Sequence, residues 1–169
     1  MRTMKAPRLF YLILCLGCAG LLGFGYYLQF YKGLEPCPLC IFQRIAYMAI
    51  VLISFGGLLH APALTGTRIY SSLIALSALA GAGIAGRQVW LQHLPADKIP
   101  ECGPGLEYML EVFSFGETLR NVFTGSGECA EIAWSFLSLS IAEWSLICFL
   151  GLLGLAIFHA VKGKINNWL

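Results

Sequence analysis

Phe42-Gln-Arg-Ile-Ala-Tyr-Met-Ala-Ile-Val-Leu-Ile-Ser-Phe-Gly-Gly-Leu-Leu59 carries one charge, Arg44, and otherwise almost nothing that prefers water. A helix needs roughly 20 such residues to cross about 30 Å of hydrocarbon. Three more stretches are as apolar, Leu9–Phe30, Ile69–Leu91 and Ile141–Val161. Backbone groups in lipid must be bonded internally, so runs this apolar are expected as helices, and the alternating pattern of a membrane barrel is absent. Composition agrees: 58% of the chain is hydrophobic and only 12% charged, with mean hydropathy +0.74, whereas soluble domains are about a quarter charged. The expected fold is all-α, a single membrane domain over 1–169 built as a four-transmembrane-helix bundle.

The basic residues orient it. Arg2, Lys5 and Arg8 precede the first span, Arg68 lies between the second and third, and Lys162 and Lys164 follow the fourth, with no acid in any of these segments. The other two connections mix Lys32, Lys98 and Arg120 with Glu35, Asp97, Glu101, Glu107, Glu111, Glu117, Glu128 and Glu131. An excess of Lys and Arg marks the cytoplasmic side, so both termini are expected inside and residues 31–41 and 92–140 outside. A basic start before an apolar run also describes a signal peptide. Here the run continues to Phe30 and no Ala-x-Ala site follows, so it is expected to remain as a span.

Between the second and third spans, Pro62 and Gly66 read as breakers of a short turn. The outer segment 92–140 begins with Pro95, Pro100, Gly103, Pro104 and Gly105, which favour irregular backbone around Cys102. Glu107–Phe123 then has the spacing of an amphipathic helix, with Met109, Leu110, Phe113, Leu119, Val122 and Phe123 on one face. Such a helix either lies in the headgroup plane or packs on the outer mouth of the bundle. Gly17, Gly20, Gly23 and Gly25, and Ala78, Ala82 and Gly86, read as close helix contacts. No internal repeat, phosphate-binding glycine loop or nucleic-acid surface is found.

Seven cysteines divide by location. Cys15, Cys18 and Cys148 fall within spans and read as small packing residues, although Cys15 and Cys18 also have CxxC spacing. Cys37, Cys40, Cys102 and Cys129 all face outward, where thiols tend to be oxidised. Of three possible pairings, proximity favours Cys37–Cys40 and leaves Cys102–Cys129. Pro36 and Pro38 start the second helix at the short pair, which puts Cys40 at a helix N-terminus with Arg44 one turn deeper. Both features favour a thiolate. The alternative reading of Arg44 is a side chain that only snorkels to the interface. Arg87 and His93 are weaker candidates for the site, and Trp90, Trp134 and Trp144 fit an interfacial belt. Two other readings stay open: four cysteines holding zinc, and a membrane scaffold with two static disulfides.

Cys37-Pro-Leu-Cys40-Ile-Phe-Gln-Arg44, Gln88-Val-Trp-Leu-Gln-His93, Cys102 and Gly127-Glu-Cys129-Ala-Glu-Ile-Ala-Trp134 together resemble the bacterial disulfide bond formation protein B family, DsbB, over nearly the whole chain. The resemblance implies a bacterial inner-membrane enzyme, a protein-disulfide:quinone oxidoreductase with its site on the periplasmic side and no metal. It implies a periplasmic thioredoxin-fold partner of the DsbA kind and a membrane quinone, ubiquinone or menaquinone, as electron acceptor. By position, Cys102 would be attacked by the partner's thiolate and Cys129 released. Cys129 would engage Cys37, and Cys40 would pass electrons to a quinone polarised by Arg44 and lined by His93. Gln43 departs from the pattern, since family members can carry an acid before the arginine.

Overall fold

The computed structural model describes residues 5–95, 108, 111–124 and 127–165. Four long helices dominate: α1 (Lys5–Lys32), α2 (Pro38–His60), α3 (Leu64–Gln92) and, last in the chain, α6 (Ile141–Ile165). Each contains a stretch long and apolar enough to cross a membrane. Between α3 and α6 lie the short helices α4 (Phe115–Thr124) and α5 (Gly127–Ala130) and a hairpin of β1 (Ser135–Phe136) with β2 (Leu139–Ser140). The helices run past the apolar stretches that mark them in the sequence, because a helix can continue into the interface after its side chains turn polar.

Neighbours in the bundle are α1 with α2, α2 with α3, and α3 with α6. The core is made of small and aromatic residues: Cys18, Ala46, Ala78, Ala82 and Ala85 leave room for Tyr11, Tyr47 and Phe149. Tyr47 stacks on Phe149 with centroids 4.1 Å apart, and its hydroxyl meets Ser145 Oγ at 3.2 Å. The tight contact is at Gly81, where a Cβ would lie 2.4 Å from the Phe149 ring. Of the four α1 glycines only Gly25 is a helix contact as expected, with a Cβ there 3.7 Å from Arg44 of α2. A Cβ at Gly17, Gly20 or Gly23 meets nothing within 4 Å, so these are not helix contacts. Leu16, Leu52, Leu76 and Phe158 point outward, as a lipid-facing shell requires.

Helix ends also correct the sequence reading. The connection between α2 and α3 is shorter than expected, because Gly66 lies inside the first turn of α3. A Cβ there would come within 2.6 Å of Pro62, so the glycine permits that packing and does not break the helix. The expected helix over Glu107–Phe123 is not one element. Ser114 starts α4 through a capping box: Glu117 Oε2 accepts from Ser114 N at 3.1 Å, and Glu117 N donates to Ser114 Oγ at 3.4 Å. Thr118 and Val122 are the buried face of α4, and Val122 packs into a cluster with Leu39, Ile84 and Leu91. Packing on the bundle mouth is therefore what α4 does. Met109 and Leu110 lie outside the described residues. Ser140 and Glu143 repeat the capping box at the start of α6.

Candidate active site

Cys37 holds extended backbone (φ −65°, ψ 162°) and caps α2, with Pro38 opening the helix. Its sulfur accepts from Cys40 N at 3.4 Å, and its thiol donates to Cys40 Sγ at 2.9 Å. The extended cap folds the first turn back so that the two sulfurs face each other. Cys129, on the short helix α5, is fully buried in the same cluster as Cys37, Leu39 and Leu91, with Cys40 packed against it. Hydrogen bonds with Cys129 and Cys40, then burial, push the Cys37 thiol well above the ordinary cysteine range. Cys37 thus keeps its proton and presents it to its neighbours. Three of the four outer cysteines meet here. Cys102 lies outside the described residues, and so does the expected Cys102–Cys129 pairing.

Cys37 and Cys40 form part of the wall of a cavity of about 400 Å³. Leu21, Phe24 and Leu28 of α1 and Ile141, Trp144 and Cys148 of α6 make its sides greasy, and Gln43, Arg44 and Gln88 supply polar groups. Exposed Glu35, Glu128 and Glu131 also line it. At the opposite end of the bundle α1 and α6 close on each other, where the Phe10 ring stacks on His159 at 3.9 Å.

The profile of the family described as "Disulfide bond formation protein DsbB" matches residues 7–159. The chain belongs to that family. Among its relatives, the disulfide bond formation protein B of Hahella chejuensis is 51% identical over 155 residues, 92% of this chain and 94% of that protein. That of Methylococcus capsulatus is 50% identical over 89% of this chain and 92% of the relative. Disulfide bond formation protein B 1 of Pseudomonas aeruginosa is 44% identical over 94% and 98%. With four helices of this length and apolarity, this DsbB chain is a multi-pass membrane protein.

The other candidate residues fall unevenly around the site. Arg44 lines the cavity, but its guanidinium is held by α1: Nη1 donates to Gln29 Oε1 at 2.5 Å, Nη2 donates to the Gly25 carbonyl at 3.1 Å, and the group lies over the Tyr26 ring. That is a fixed position, unlike a snorkelling side chain free in the interface. The donors on Cys40 Sγ come from elsewhere, namely the Cys37 thiol and Gln88 Nε2 at 3.3 Å. His93 is two-thirds exposed and does not line the cavity. Its Nδ1 donates to the Val89 carbonyl at 2.9 Å, and its Nε2 lies 3.9 Å from Glu143. α3 ends at Gln92, and the cap turns the His93 ring outward. Arg87 also does not line it.

Gln43 and Gln88, both buried, are what the sequence reading missed as site residues. Gln88 is in sequence only one member of the Gln88–His93 motif, and no spacing rule brings residue 43 to residue 88. Among the described residues no three His, Cys, Asp or Glu side chains are arranged to hold a metal ion. Trp134 and Trp144 have a place besides the interfacial belt. They line the cavity, Trp134 against Phe24 at 5.7 Å and Trp144 bonded through Nε1 to the Phe136 carbonyl at 3.1 Å.

Proposed function

We infer that this chain forms disulfide bonds by oxidising a dithiol protein and passing the electrons to a membrane quinone. The observation that carries the reading is the meeting of Cys129 with the Cys37–Cys40 pair at the wall of an apolar cavity. The names of its relatives point the same way. The partner is a periplasmic thioredoxin-fold protein of the DsbA kind, and its thiolate attacks Cys102. A mixed disulfide forms as the Cys102–Cys129 bond breaks, and the partner's second thiol then releases the partner oxidised. Two electrons and two protons now rest on Cys102 and Cys129. Cys129 attacks Cys37, breaking the Cys37–Cys40 bond and leaving the electron pair on Cys40; Cys102 resolves the Cys37–Cys129 bond.

The cavity suits a quinone ring. It is apolar on two sides, near the size of a small-ligand site, and the amides of Gln43 and Gln88 lie beside Cys40. A quinone bound there supplies the two-electron, two-proton acceptor that returns Cys37 and Cys40 to a disulfide. Arg44, fixed by Gln29 and Gly25, presents positive charge to a ring oxygen, and Cys40 is the electron donor. Ubiquinone and menaquinone both fit this chemistry. The distribution of basic residues supports a site on the periplasmic face of a bacterial inner membrane, with both termini in the cytoplasm.

The test is reduction of a soluble quinone analogue by the purified chain with reduced partner. Turnover is expected with the native chain and none with Cys40→Ser. Cys102→Ala should bind quinone yet leave the partner reduced. Normal turnover by Cys40→Ser would overturn the assignment.

A further inference from the structure

Gln88 is 4% exposed and Gln43 5%, so neither amide can turn to water for its hydrogen bonds. Gln88 Nε2 donates to both sulfurs of the short pair, to Cys37 at 3.4 Å and to Cys40 at 3.3 Å. Its Oε1 accepts from Gln43 Nε2 at 2.7 Å and, at the longer distance of 3.6 Å, from the Cys40 thiol. An amide has one donating and one accepting end, and with Gln43 held on the accepting end the shorter contacts to both sulfurs come from the donating one. Gln43 is one turn along α2 from Cys40, and Gln88 comes across from α3. The pair therefore ties the redox turn of one helix to its neighbour.

We propose that Gln88 is a positioning residue for the Cys37–Cys40 pair, oriented by Gln43 so that its amide N–H groups face the two sulfurs. Two consequences follow from the chemistry of the amide. Donors aimed at sulfur stabilise the reduced pair, whose electron density is on sulfur, more than the disulfide, which is a poor acceptor. The pair is thereby made more oxidising than the same CxxC without those donors, since stabilising the reduced form raises a disulfide's potential. The orientation is also reversible by substitution. A carboxylate at position 43 can only accept, so it would draw the Gln88 N–H groups away and turn the Gln88 carbonyl to the sulfurs.

The inference rests on Cys37 and Cys40 being the redox pair, and its test needs neither quinone nor partner. The full-length chain in detergent is equilibrated with glutathione buffers, alkylated, and the peptide holding Cys37 and Cys40 is quantified by mass spectrometry. Gln88→Met keeps the volume and removes the donors. It should shift the equilibrium toward disulfide by roughly tenfold, the scale of one hydrogen bond to a charged group, or about 30 mV for two electrons. Gln43→Glu should shift it in the same direction, and by more than the same change made in Gln88→Met. The carboxylate's own repulsion of charge on sulfur acts in both backgrounds, and the turning of Gln88 only in the first. Equal shifts would mark a merely structural role for Gln88. Gln88→Leu takes the place of Gln88→Met in both comparisons if the latter does not fold. Equilibria within twofold of the native chain for either folded variant would overturn the proposal. A native pair that never exchanges with glutathione would instead overturn the proposed function on which the proposal rests.

Discussion

The chain contains two CxxC sequences, and only one of them is built for exchange. Cys15 and Cys18 lie inside α1, where each backbone N–H is spent on the helix, and Cys18 is packed in the core beside Tyr11 and Leu14. Cys37 and Cys40 have the same spacing but straddle a helix start. One is an extended cap and the other is in the first turn, so backbone N–H, thiol and amide donors all converge on sulfur. Spacing puts two sulfurs within reach of each other; the helix boundary decides whether they are useful. Pro36 and Pro38 make that boundary, and neither flanks the inner pair.

The comparison can be broken most directly by exchanging residues within it. Cys40→Ser should abolish partner-dependent quinone reduction, while Cys18→Ala should leave its rate near native and cost only packing, roughly 1 kcal/mol. Thermal unfolding in detergent beside the activity assay separates the two, and loss of turnover in Cys18→Ala would erase the distinction. Overpacking the inner region should be costlier than emptying it. Gly81→Ala drives a methyl toward the Phe149 ring, 2.4 Å from the ideal Cβ, and is expected to destabilise by about 1–3 kcal/mol.

Arg44→His should weaken quinone use without touching the sulfurs' own exchange, raising the quinone KM by about tenfold, the scale of one charged hydrogen bond. An unchanged KM would reduce Arg44 to an interfacial anchor. The raised Cys37 thiol makes a pH prediction. In the reduced chain the folded state keeps this proton while the unfolded state loses it above about pH 8.5. Stability from this group is therefore present below that pH and falls as pH rises, by at most about 1.4 kcal/mol per unit. Cys37→Ala should make the unfolding midpoint of the reduced chain less steep in pH between 8.5 and 10. The smallest effect is expected at Ser114→Ala, which removes the α4 capping box at a cost of about 1 kcal/mol. Hydrogen exchange confined to α4 would record it.

The four spans are legible because lipid demands the same thing of every residue, and an apolar run long enough to cross satisfies it wherever it occurs. Cys40, Arg44 and the helix start between Pro36 and Pro38 are legible because their signals are local. The amide pair is not, since Gln43 and Gln88 meet only after α2 and α3 have packed. The capping box at Ser114 was present in the sequence as Ser-x-x-Glu, but the apolar spacing across it suggested one continuous helix. The β1–β2 turn gave less warning. Leu137 and Ser138 take positive φ without the glycine or asparagine that usually mark such turns. His93 shows the reverse, a residue whose motif suggests the site and whose helix cap leaves it off the cavity wall.

The passing of a disulfide between the two outer pairs depends on Cys129 reaching Cys37, and one trapping measurement tests that contact. In a Cys40→Ser, Cys102→Ser chain, mild oxidation followed by peptide mass spectrometry should yield a Cys37–Cys129 disulfide in near-stoichiometric amount. Cys37 and Cys129 both remaining open to alkylation in the folded protein would contradict it.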